Sequence, residues 1–99
     1  MSYNTIFRED KRDGNEPEII DELKLYSVFT IRMTRGAGFD ILAIDPADKQ
    51  FYIVEIKNPG DKRFSKQEIK LMSVLRMMGV EYHILRTRED ARKMIGVEL

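Results

Sequence analysis

The sequence predicts a single α/β domain in which a mixed sheet is flanked by helices. Two observations predict it: a helical segment precedes three successive runs of strand character, and a capping-box helix then leads into one further strand run. Three sequential antiparallel strands followed by a helical crossover into a fourth give a sheet with both antiparallel and parallel neighbours. At 99 residues the chain makes one domain and buries about 60 % of its unfolded surface or a little more, which disfavours a large internal substrate pocket.

Residues 8–15, Arg8-Glu9-Asp10-Lys11-Arg12-Asp13-Gly14-Asn15, are polar or glycine throughout, and residues 1–14 read as a mobile lead-in. Asn15 is a good N-cap, with Glu16, Pro17 and Glu18 in the first turn, where acids and proline are tolerated. Ile19, Ile20, Leu23 and Tyr26 recur at helical spacing, so this helix is expected to run to about Ser27. Val28-Phe29-Thr30-Ile31-Arg32-Met33 reads as the first strand, and Thr34 to Gly38 as the turn that follows.

Gly38 to Asp45 and Phe51 to Lys57 read as a β-hairpin joined through Pro46-Ala47-Asp48-Lys49, which has turn chemistry. Asn58 to Arg63 is an exposed basic loop. Ser65-Lys66-Gln67-Glu68 has the capping-box pattern and opens a helix carrying Ile69, Met72, Leu75, Arg76 and Met78, with Gly79 as its C-cap. Val80 to Arg86 is a further strand, and Thr87-Arg88-Glu89-Asp90 caps a last short helix through Ile95.

The composition, 42 % hydrophobic and 34 % charged, is that of a globular protein with a charged fraction above the usual ~25 %. The absence of cysteine removes disulfides, thiolate metal sites and cysteine nucleophiles. No long apolar run and no hydrophobic leader is present, so the expected location is intracellular (cytoplasmic), with no membrane partner. Net charge is zero, yet residues 1–48 carry six Lys/Arg and ten Asp/Glu, whereas residues 49–99 carry eleven and seven. An acidic cluster that binds a cation beside a basic surface that meets phosphates has this distribution, as do many ordinary mixed-charge surfaces.

The anomaly in the hairpin is its charge: Asp40, Glu55 and Lys57 lie in runs that otherwise favour burial. With a four-residue loop, Asp45 faces Gln50, paired positions sum to 95, and Asp40 is expected directly opposite Glu55. Two carboxylates with Cβ atoms roughly 5 Å apart repel by about 3 kcal/mol at an effective dielectric near 20. Lys57 shares a face with Glu55 and is expected opposite Gly38, whose missing side chain leaves space above the sheet. One lysine does not neutralise two acids, whereas hard oxygen ligands at this spacing suit Mg²⁺ or Mn²⁺. A structural salt bridge of edge-strand charges is the plain alternative.

An aspartate on one strand with Glu-x-Lys on the next, here Asp40 and Glu55-Ile56-Lys57, resembles the signature of the PD-(D/E)XK nuclease superfamily. Gly38 to Leu42, Val54 to Lys57, Ser65-Lys66-Gln67, Gly79 and Arg86-Thr87-Arg88-Glu89-Asp90 are similar to its VRR-NUC branch, over roughly residues 16–95. Phe39 stands where the superfamily's name has proline, a position that carries no chemistry.

The resemblance implies a restriction-endonuclease-like α-β-β-β-α-β core and a metal-dependent phosphodiesterase acting on DNA, with branched structures as substrates and a homodimer for cutting both strands. By resemblance, Asp40, Glu55 and the backbone carbonyl of Ile56 would ligate Mg²⁺ or Mn²⁺. Lys57 would orient or deprotonate the attacking water, or stabilise transition-state charge. Gln67 matches the glutamine beside the lysine, and Glu16, with Glu18 second, the first-helix acid. Arg32, Arg35, Lys62, Arg63 and Lys66 would flank the site and contact phosphates. His83, the only histidine, reads as structural, and the six methionines as core filler or a partner surface. A non-catalytic DNA-binding or assembly module that keeps the nuclease fold, and a structural subunit with a buried ion network, are the alternatives.

Overall fold

The computed structural model describes residues 14–97, so the lead-in expected over residues 1–14 lies, apart from Gly14, outside the described residues. Helix α1 (Glu16–Leu25) starts with proline in its first turn, Glu16 and Glu18 near its positive end and Lys24 in its last turn. Asn15 occupies the N-cap position, but its backbone is helical (φ −87°, ψ 0°) and its side chain makes no capping bond. Asn15 Nδ2 instead donates to the carbonyl oxygens of Lys57 (2.9 Å) and Arg86 (2.8 Å), which correct the reading of its side chain as a cap.

Helix α1 stops at Leu25, two residues before the expected end, because Ser27 turns left-handed (φ +64°). Ser27 N–H donates to Lys24 O and Val28 N–H to Leu23 O, a Schellman closure. The same bond pattern closes the other two helices, there with Gly79 and Gly96 at the left-handed position.

Four strands form one sheet in the order β1 (Phe29–Arg32), β2 (Ile41–Asp45), β3 (Gln50–Ile56), β4 (Tyr82–Leu85). The first three are antiparallel neighbours and β4 runs parallel to β3, Ile53 pairing with Tyr82 and Ile56 with Leu85. The described residues thus form a small α/β domain with a four-stranded mixed sheet and three helices, as the order of sequence elements predicts. Helix α2 (Lys66–Met78) is the crossover between the parallel pair, and α3 (Arg88–Met94) follows β4. Both capping boxes form: Ser65 with Glu68, and Thr87 with Asp90. Strand β4 starts at Tyr82 and not at Val80, because Val80 N–H is used to close α2 on Leu75 O. No helix among the described residues is long and apolar enough to cross a membrane.

The two faces of the sheet differ in kind. Ile41, Ala43, Val54, Ile56 and Leu85 point to one face and pack with Ile19 and Leu23 of α1, Ala91 of α3 and Ile95 just past its end. A fully buried Val, Leu or Ile contributes about 1.5–3 kcal/mol, so this layer dominates the stability. Glu22 joins the two helices, accepting from Arg88 Nη1 (3.1 Å) and Arg92 Nη1 (3.0 Å). Helix α2 lies on the other face and buries only Leu75. Polar ties therefore matter more for holding it, and those ties converge on the charged residues of the hairpin.

Candidate active site

The hairpin has the expected register: paired positions sum to 95 from Asp45–Gln50 through Ile41–Val54. At Asp40 the ladder departs from the expected direct opposition to Glu55. Asp40 N–H donates to Val54 O (2.9 Å) while its carbonyl accepts from Met33 N–H (2.8 Å), so its two backbone groups serve opposite neighbours. The half-buried side chain reaches along β3 instead, Asp40 Oδ2 accepting from Ile56 N–H at 2.7 Å. The preceding turn holds Gly36 (φ +87°) and Gly38 (φ +92°) in the left-handed region, so regular strand pairing begins only after it.

Glu55 and Lys57 are 4 % and 7 % exposed. The alternation of β3 sends Val54 and Ile56 into the main core and turns Glu55 and Lys57 to the α2 face. There the Lys57 ammonium lies 3.3 Å from Glu55 Oε2, 3.0 Å from Glu68 Oε1 and 4.9 Å from the centre of the Phe64 ring. The space expected above Gly38 is filled: a Cβ there would meet Gln67 O at 3.1 Å and Leu71 Cβ and Cδ2 at 3.3 Å. The absence of a side chain at Gly38 thus lets α2 approach the sheet and bring Glu68 to Lys57.

The electrostatics follow from burial and crowding. Burial, then the Asp40 charge, then Glu68 push the Glu55 carboxyl up to about 9, with Lys57 opposing. Partial burial also pushes Glu68 up, but the Ser65 N–H and the Lys57 ammonium outweigh it and hold that carboxyl below its ordinary range. Burial disfavours the charged form of Lys57, yet Glu68 and Glu55 raise its pKa nonetheless. Burial and the neighbouring acids thus favour the protonated form of Glu55, while the same acids favour the charged form of Lys57. Tyr82, on the same face in β4, is raised by burial and by the charges of Glu55, Glu68 and Asp40, and its hydroxyl donates to Gly38 O at 2.7 Å.

The structure therefore brings together Asp40, Glu55 and Lys57 and adds Glu68, Tyr82 and Phe64. Gln67 is exposed at the first turn of α2; the residue of that turn in contact with Lys57 is its neighbour Glu68. The capping-box spacing was the signal for Glu68, since a helix whose first turn sits over the end of β3 turns its N3 side chain toward the strand. Tyr82 carried no signal of its own and joins the group through the parallel register with Ile53. Glu16 is buried, and Oε2 accepts from Arg32 Nε at 2.8 Å on the α1 side of the sheet, while Glu18 is exposed. Arg35, Lys62 and Lys66 are exposed, and Arg63 pairs with Asp61. His83 lies edge-on to Tyr52 (5.3 Å, 81°), with burial pushing its imidazole down.

Among the described residues no group of three or more His, Cys, Asp or Glu side chains is placed to hold a metal ion as it stands. The donor chemistry is that of hard oxygen ligands: Glu55 and Glu68 flank the Lys57 ammonium, and burial, then the nearby Asp40 charge, favour the protonated form of Glu55. Comparison with protein-family models, curated proteins and solved structures finds no match.

Proposed function

We propose that the chain is an intracellular, metal-dependent DNA endonuclease that hydrolyses phosphodiester bonds, selective for branched DNA such as junctions or flaps, and active as a homodimer. The observation that carries this reading is the buried Lys57 ammonium held beside Glu55 and Glu68, with Asp40 at the neighbouring strand end. The element order helix, three strands, helix, strand is that of the restriction-endonuclease-like core to which the PD-(D/E)XK resemblance points.

Asp40 and Glu55, with the Ile56 carbonyl, would hold Mg²⁺ or Mn²⁺. Bound there, the cation supplies Lewis acidity toward a phosphoryl oxygen and lowers the pKa of a water. The charge of such a cation would favour the ionised form of Glu55, its proton passing to solvent. Lys57 then presents N–H donors toward the attacking water or the charge developing on phosphorus, and Glu68 and Phe64 fix its position. Exposed Arg35, Lys62 and Lys66 meet the backbone phosphates.

Incubation with branched and linear DNA plus Mn²⁺ tests the proposal. Wild type cleaves the branched substrate, and Asp40→Ala and Glu55→Ala do not. No cleavage by wild type, or equal cleavage by both variants, removes it. A non-catalytic DNA-binding or assembly module is the second reading, favoured by the contact of Lys57 with two carboxylates, which offsets its charge. Calorimetry showing no Asp40-dependent binding of Mn²⁺ selects that reading.

A further inference from the structure

Asp40 owes its position to a segment outside the regular ladder, and a side chain from the far strand holds that segment. Gly38, two residues before Asp40, is buried, and its carbonyl accepts from the Tyr82 hydroxyl at 2.7 Å. Tyr82 stands on β4 opposite Ile53 of β3, so its side chain crosses β3 to reach the turn that opens β2. It thereby joins both neighbours of the strand that carries Glu55.

A buried carbonyl left without a donor costs free energy, so this bond fixes the peptide unit between Gly38 and Phe39. Asp40 follows directly. Helix α2 leaves little room for another arrangement, since a Cβ on Gly38 would come 3.1 Å from Gln67 O and 3.3 Å from Leu71. From there Asp40 Oδ2 accepts from Ile56 N–H at 2.7 Å, which sets its charge close enough to Glu55 to act on that carboxyl.

We infer that Tyr82 is a positioning residue for the charged site: its hydroxyl, acting through the Gly38 carbonyl, sets the Asp40 carboxylate against Ile56 and Glu55 at the end of β3. The hydroxyl keeps the proton it donates, because burial and then the charges of Glu55, Glu68 and Asp40 raise its pKa. What this does for a cation rests on the metal centre proposed above, whereas the placement of Asp40 is a property of the metal-free chain. Groups bonded behind a metal ligand change metal affinity by about 10–100-fold when removed.

Tyr82→Phe keeps the ring and removes only the donor. In the metal-free full chain, hydrogen exchange at the Ile56 amide, which is bonded to the Asp40 carboxylate, speeds by about tenfold or more relative to the amide of Ala43 in the regular ladder. A general loss of stability would speed both alike. Calorimetric titration with Mn²⁺ gives a Kd about tenfold or more above that of wild type. Tyr52→Phe, packed against the core on the opposite face of β3, changes neither reading. An Ile56 amide that exchanges no faster relative to Ala43 overturns the inference. So does a faster Ile56 amide with an unchanged Mn²⁺ Kd. A wild type that binds no Mn²⁺ counts against the metal centre, and the Ile56 amide then decides alone whether Tyr82 places Asp40.

Discussion

The Glu68 carboxylate that caps α2 also holds the Lys57 ammonium: Oε1 accepts from Ser65 N–H and from Lys57 Nζ, each at 3.0 Å. One oxygen thus couples a helix start to a buried charge. Helix α2 fully buries only Leu75, so this bond adds to the packing of Leu71 against Gly38 in keeping it over the sheet.

Replacing Glu68 separates its two tasks. Glu68→Ala removes the reciprocal cap and one partner of a buried ammonium, and lowers stability by about 1–3 kcal/mol. Glu68→Gln keeps an oxygen for both donors and loses less. Urea unfolding of the two variants measures the difference; equal losses would mean that hydrogen bonding by Glu68 contributes nothing to either task.

Stability should fall as the solution becomes alkaline. Glu55 titrates near its ordinary 4.5 in the unfolded chain and near about 9 in the folded one. Between those values the folded state binds the additional proton, so stability is lost as pH rises through that window. Thermal melts are expected to show Tm dropping by about 5 °C or more from about pH 5 to about pH 9. Glu55→Gln, which carries no titrating group, flattens that slope.

Mn²⁺ reverses the alkaline loss. A cation that binds only the folded state at a hundred times its Kd adds about 2.7 kcal/mol, and the gain is larger above neutral pH, where less proton must be displaced. Differential scanning calorimetry with and without Mn²⁺ reads it. Asp40→Asn removes the gain, whereas Glu18→Gln, at an exposed position on α1, does not.

Ser27 is a site for stabilisation. It holds φ +64° where α2 and α3 close with glycine, and an L-residue in that region costs about 1–2 kcal/mol. Ser27→Gly should raise the urea midpoint by an equivalent of up to about 1 kcal/mol, the flexibility of unfolded glycine offsetting the rest. An unchanged or lower midpoint would show that the Ser27 side chain offsets its own strain.

The sequence makes the hairpin register legible because turn chemistry and alternation leave few pairings for Asp45 and Gln50, and both capping boxes because they are local. Three features are not legible because each is set by the finished backbone geometry and not by residue type or spacing. Asp40 leaves the ladder because of the turn geometry before it. Glu68 and not Gln67 meets Lys57 because of the helix rotation that close contact at Gly38 permits. Asn15 has the composition of a cap, but its amide reaches strand ends that only the finished fold brings beside it.

That last feature bears on how the chain folds. Asn15 Nδ2 donates to carbonyls 42 and 71 residues away in sequence, and so ties the start of the first helix to the ends of both parallel strands through one side chain. Contacts so distant close the longest loops and form late. The amide of Lys57 is itself bonded to Leu85 O, so the backbone that carries the charged site is held by β4 and α1 together. Asn15→Ala should therefore speed unfolding more than it slows refolding, as a contact made after the rate-limiting step does; a slowed refolding with unchanged unfolding would show that the contact forms earlier.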